Sequence, residues 1–322
     1  MSWISRQFST RAIVLMAIAI PINIVLGAIV QNVLKLPIYL DSIGTILVGV
    51  LAGPLAGALT GVLSNLIWQA TLGGSIGPFA VTAGVIGLLA GLWGYLGVYR
   101  SRPASRNRLI VGAVIGAAVV ILLAVPIVNN PAYTDPNIGG YPSWVYEAIT
   151  VIALIAATMV GGFILIKRDM AGLWVALAGV VTGIVAAIVS APISAYVFGG
   201  VTGSGVDVIV AALRSGGASV VQAALGQGLF SDPIDKTIMS FVVFIILSGM
   251  SVRIIARFPN GPKLIVPQAA EAQAEGGQPA SPEPAIPPSA EPMDDDAPIG
   301  EAAPGSDTSP IADPQMTSDP TP

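Results

Sequence analysis

The chain contains no cysteine and no histidine. Disulfides, thiolate and imidazole metal sites, Cys and His nucleophiles and a His general base are therefore excluded. It has no Gly-x-x-x-x-Gly-Lys-[Ser/Thr] phosphate loop, and none of its lysines follows a glycine. If this chain takes part in ATP-driven work, the ATPase is on other chains. Charge is also scarce, at 10% of residues. With no paired carboxylates expected inside a span, an enzyme is the least favoured class. No catalytic residue, metal or cofactor is expected.

What is present is apolar surface. Hydrophobic residues make up 54% of the 322, more than a soluble fold can hide. Several runs approach or exceed the roughly 18–20 apolar residues that a spanning helix needs. The fold class expected is an all-α polytopic membrane protein.

The net charge of −4 conceals a segregation. Thirteen basic and seven acidic residues precede Pro259, against one basic and eleven acidic from there on. The part over 1–258 is read as the membrane domain. Residues 259–322 are rich in Pro, Ala, Ser, Gly and acids, and too poor in large apolar side chains to fold. They read as a disordered acidic tail.

The N-terminal "MSWISRQFSTRAIVLMAIAIPINIVLGAIV" has a basic start and an apolar run, as a signal peptide would. The run is long and lacks a clear small-x-small cleavage site, so a retained first helix is expected over Arg11 to Val33. Further helices are expected over Pro78–Tyr99, Leu109–Val128, Val145–Ile166, Ala171–Phe198 and Ile234–Ile255. "RSRPASRNR" (100–108) carries four arginines and no acid, and 129–144 is a polar loop with Pro, Gly and aromatics. Residues 206–231 are too apolar for a free loop and read as two short helices at the outer surface. "SDPIDK" (231–236) reads as the N-terminal signal of the last helix. Asp232 and Asp235 cap it there, or one of them pairs with Lys236 or contacts a ligand.

The stretch "YLDSIGTILVGVLAGPLAGALTGVLSNLIWQ" (39–69) raises a choice between one helix and two. One helix over 42–69 would be roughly 42 Å long, against a hydrocarbon core of about 30 Å. Two helices split at Gly53-Pro54 would each be only about 25 Å long. Pro at the first turn of a helix and Gly just past the end of another favour a break. The split gives eight spans with a cytoplasmic N-terminus, and places 11 basic residues inside against 3 outside. One long helix gives seven spans and 10 against 4. The positive-inside rule prefers the split by that small margin.

The segments "PIYLDSIGTILVGVLAGPLAGALTGVLSNLIW" (37–68), "SAPISAYVFGGVTGSG" (190–205) and "QGLFSDPIDKTI" (227–238) carry a resemblance. The chain resembles the substrate-binding S component of an energy-coupling factor (ECF) transporter, nearest the riboflavin type, over about 10–99 and 171–257. The resemblance implies a bundle of six core helices, so the helix pair within 109–166 would be an insertion. It also implies capture of a vitamin-like molecule on the outer side. The S component then topples on docking to a transmembrane T component driven by ATP-binding subunits. The T component would meet a small-residue face of helix 1, here Ala19, Asn23 and Gly27. Expected partners are those subunits, a small-molecule nutrient and the lipid bilayer, with no nucleic acid. The localisation is the cell membrane, with both termini cytoplasmic.

The split places the uncharged aromatic and amide residues on the outer side. Tyr39 and Asp41 sit at the outer end of one helix, and Asn65, Trp68 and Gln69 at the end of the next. Asn65 and Trp68 share a face at i, i+3. An aromatic plane with an amide is what a planar heterocycle needs, for stacking and in-plane hydrogen bonds. Gln222 and Gln227 are among the few polar residues of 206–231 and complete the candidate set. The alternatives are dipole stabilisation for Asp41 and an interfacial belt for Trp68. Two other functions compete: a stand-alone secondary transporter and a ligand-sensing membrane protein. The former needs acids in mid-span, and none is expected there.

Overall fold

The computed structural model describes residues 3–34, 36, 38–128 and 143–265. The expected loop at 129–144 up to residue 142, and the tail beyond 265, lie outside the described residues. The chain is all-helical, and five of the described helices are long and apolar enough to cross a membrane. This fits a multi-pass membrane protein.

After a short α1 (Trp3–Gln7), α2 (Thr10–Ala28) continues as a π-helical turn over Ile29–Val33. The Gly53-Pro54 break is a true break. Gly53 has φ 119°, a conformation other residues rarely adopt, and Pro54 begins the next helix. The result is α3 (Ile43–Ala52) and α4 (Pro54–Leu72). At about 15 Å, α3 covers half a hydrocarbon core and is not the full span expected. Before it, residues 38–42 are irregular backbone, with Ile38 buried.

Then come α5 (Ala80–Tyr95), α6 (Arg106–Val128), α7 (Ser143–Lys167) and α8 (Ala171–Phe198). The segment 206–231 is not two surface helices. It forms one short helix, α9 (Asp207–Ser215), and then the start of α10 (Val220–Gly249). A capping box between Ser219 and Gln222 opens α10, which runs through Pro233 without stopping. Pro233 fits because α8 presents Gly183 there, where a Cβ would fall on the Pro233 backbone. Asp232, Asp235 and Lys236 are thus mid-helix rather than capping residues, in a helix outside the five long apolar ones.

Small residues set the packing, because lipid-embedded helices associate by close contact rather than by water exclusion. A Cβ on Gly87 or Gly91 of α5 would fall on the backbone of Gly57 or Pro54 of α4. Gly179 of α8 does the same for α10, its Cβ falling 2.5 Å from Thr237 Cα. The pair α6–α7 is integral to the bundle. Gly116 of α6 admits Val160, and Phe163 of α7 meets Phe241 and Phe244 of α10 with ring centroids 6.0 and 4.8 Å apart. Its Val120, Val160 and Ile164 belong to the main core cluster.

The folded part also extends past 258. The backbone N–H of Asn260 donates to Leu51 O at 3.0 Å, and its side-chain amide donates to Val50 O and Gly91 O at 3.1 and 3.3 Å. Asn260 thus ties the chain after α10 to the ends of α3 and α5. The basic loop sits at this same end. Asp169 accepts from the N–H groups of Arg102 and Ala171, both at 2.7 Å, joining the α5–α6 and α7–α8 turns.

The glycine packing gives a direct test. Gly87→Leu forces α4 and α5 apart and lowers stability by about 1–3 kcal/mol or more. Gly162→Leu, at a site where a Cβ meets nothing within 4 Å, leaves it unchanged. Thermal unfolding of both variants in one detergent checks the contrast.

Candidate binding site

At the end of the bundle opposite the arginines, α4, α5, α8, α10 and the irregular 38–42 segment enclose a cavity of about 340 Å³. Five of the seven candidate residues line it: Tyr39, Asp41, Asn65, Trp68 and Gln227. The other two have local structural partners instead. Gln69 accepts from the Gly77 N–H at 3.0 Å and closes the turn after α4. Gln222 is consumed in the capping box of α10.

The irregular segment is held by α10. Asp235, fully buried, accepts from the backbone N–H groups of Tyr39 and Leu40 at 3.1 and 3.0 Å. Leu40 has φ 50°, a left-handed conformation that costs a non-glycine residue energy and needs such support. Lys236 Nζ balances the charge, 2.6 Å from Asp235 and 3.7 Å from Asp41. Gln31, on the π turn of α2, donates to Asp41 at 3.2 Å. Tyr39 turns its hydroxyl to Gln227, whose amide donates to it at 3.1 Å and to Ser231 Oγ at 2.6 Å.

Trp68 forms one wall. Its ring lies against Gly27, where a Cβ would come within 2.5 Å of it. Asn65 stands beside it, only 4% exposed, and its side-chain amide has no hydrogen-bond partner among the described residues. The mouth is bordered by two Gly-rich turns, 73–76 and 199–204. Phe79 and Phe198 stack there with centroids 5.6 Å apart. Asp207 accepts from the N–H and hydroxyl of Thr202, at 3.0 and 2.7 Å, and so shapes the second turn.

The helix 1 face does not lie on an outer surface. Ala19, Asn23 and Gly27 are all buried against this chain's own α3 and α4. Asn23 donates to Thr45 Oγ1 and Ser64 Oγ at 2.9 and 3.0 Å and accepts from the Gly44 N–H at 2.7 Å. The small residues admit Gly44 and Trp68, and the amide satisfies buried polar groups at the centre. The expected docking face is thus internal packing.

Sequence reasoning missed Gln31, Thr82, Ser190 and Ser194, which also line the cavity, as does Asp232, expected as a cap or a ligand contact. Nothing local marks the π turn that aims Gln31. The mid-helix position of Asp232 is masked by Pro233, which imitates a helix start. Among the described residues, no group of three acids is arranged to hold a metal ion. No family model matches the chain, and no curated protein or solved structure matches it.

Removing Lys236 alone leaves a buried carboxylate unpaired. Lys236→Met should cost about 3–5 kcal/mol. Adding Asp235→Asn should recover part of that loss, because Asn Oδ1 still accepts from Tyr39 and Leu40. A double-mutant cycle by thermal unfolding reads the coupling.

Proposed function

We propose that this chain is a membrane-embedded binding protein that captures a vitamin-like small molecule, working as the S component of an ECF-type importer. The carrying observation is the cavity: a concave volume at one end of the bundle, walled by Trp68 and Tyr39 and lined by amides, hydroxyls and charged groups. Concave pockets with convergent polar groups are the usual form of small-molecule sites. A core of six helices carries the site, the α6–α7 pair is an addition to it, and transport energy comes from a T component and ATP-binding subunits. The cavity faces outward and the arginine-rich end faces the cytoplasm, in line with the charge bias. The internal position of Ala19, Asn23 and Gly27 moves the T-component contact to another lipid-facing surface.

A second reading has its own support. Asp232, Asp235 and Lys236 sit mid-way along α10, where ionisable residues in membrane proteins commonly mark ion or substrate paths. A cavity bordered by irregular backbone at 38–42 is also a feature of secondary transporters. A stand-alone transporter is therefore the alternative.

Co-expression of the tagged chain with T and ATP-binding subunits, followed by mass spectrometry of the purified material, separates the two. The ECF reading predicts a stable complex containing those chains and a heterocycle released on denaturation. A chain that purifies without partners, yet supports uptake into vesicles without ATP, contradicts it.

A further inference from the structure

The charges around the cavity do not balance. Asp41, Asp232 and Asp235 face a single cation, Lys236. Lys236 is already bound to Asp235 at 2.6 Å and sits 3.7 Å from Asp41. Asp41 is further served by Gln31 and by Ser42, whose hydroxyl donates to it at 2.8 Å. Asp232 differs. It is 4% exposed and lines the cavity, and its one hydrogen bond comes from Ser231 Oγ at 3.4 Å. Among the described residues, no lysine or arginine nitrogen lies within 4 Å of it. A carboxylate out of water without a close counter-charge is costly, and either a proton or a bound cation relieves that cost.

Two further polar groups stand unpartnered at the same cavity. The buried Asn65 amide has no partner among the described residues. The Thr82 hydroxyl, on a residue 7% exposed that also lines the cavity, has none either. Other hydroxyls in these helices bond back to a carbonyl one turn earlier, as Thr60, Ser64 and Thr182 do. Buried polar groups are normally satisfied. Two unpartnered polar groups and one carboxylate with no ion pair within 4 Å around one cavity describe the outline of a missing molecule.

We infer that the molecule held in this cavity is a planar heterocycle bearing a positive charge, with the charge seated against Asp232. The ring lies along Trp68, where a cation also gains from the aromatic face. Asn65 and Thr82 take the ring's polar edge. This rests on the cavity being the binding site, as proposed above, but not on the partner subunits.

The test uses the full chain in lipid nanodiscs and matched probes differing only in charge. Calorimetric titrations compare 1-methylnicotinamide with nicotinamide, and 1-methylquinolinium with quinoline, with empty nanodiscs subtracted. The charged member of at least one pair should bind about tenfold tighter or better. Asp232→Asn should abolish that preference, the charged member losing about tenfold more affinity than the neutral one. Neutral members that bind as well as their charged partners overturn the inference and leave the binding-site reading standing. A preference that survives Asp232→Asn and disappears in Asp41→Asn overturns the assignment to Asp232. No binding of any probe up to millimolar concentration overturns both the inference and the cavity reading.

Discussion

The Asp235 carboxylate is the constraint on which the rest of the cavity depends. Over residues 38–42 the chain has no helical hydrogen bonding inside a helical bundle. Such backbone is tolerated among membrane helices only where protein supplies the missing partners or where it borders a cavity. Asp235 supplies them for Tyr39 and Leu40, reaching across from the middle of α10. Lys236, its neighbour in sequence, removes the penalty of its charge. The cost of burying this pair is offset by what it holds in place. Tyr39 faces Gln227, and Asp41 meets both Gln31 and Lys236. Without the pair, the wall formed by 38–42 keeps only the hydrogen bonds from Gln31 and Gln227 to Tyr39 and Asp41.

Backbone close approach supplies the complementary constraint. The α4–α5 contact runs through Gly57, Gly87 and Gly91, and the α8–α10 contact through Gly179 and Gly183. These contacts form two tight layers at fixed spacing, and the cavity is the space left where they diverge. Trp93, whose indole N–H donates to Thr182 at 2.9 Å, links the layers below it. A rigid frame with one polar gap is well suited to selective capture, since little ordering of the frame is needed on binding.

Much of this was legible in the residues. Gly53-Pro54 announced a helix end and a helix start, and both occur there. Asn65 and Trp68 at i, i+3, with Tyr39 and Asp41 after the first helix, all line the cavity. Some misses arise because tertiary contacts overrode local signals, others because a local hydrogen bond was already made. Pro233 with preceding Ser231 and Asp232 is a sound helix-start pattern, yet Gly183 across the interface lets α10 pass straight through. The small residues Ala19 and Gly27 allow close approach on either side of a helix, and their spacing does not say whether the neighbour is another chain or this one. Gln69 and Gln222 look identical to ligand amides in sequence, and only the turn geometry shows that their hydrogen bonds are already made.

The central claim is an aqueous cavity open to the outside, at the end of the bundle away from the arginines. The absence of native cysteine makes it directly testable. Ser190→Cys places a thiol in the cavity wall, and Ser101→Cys places one in the exposed basic turn. Both are exposed in intact cells to a small, membrane-impermeant methanethiosulfonate carrying a quaternary ammonium. The account predicts that the residue 190 thiol reacts in intact cells and that the residue 101 thiol reacts only after permeabilisation. Labelling in the reverse pattern, or a residue 190 thiol inert under both conditions, would contradict it.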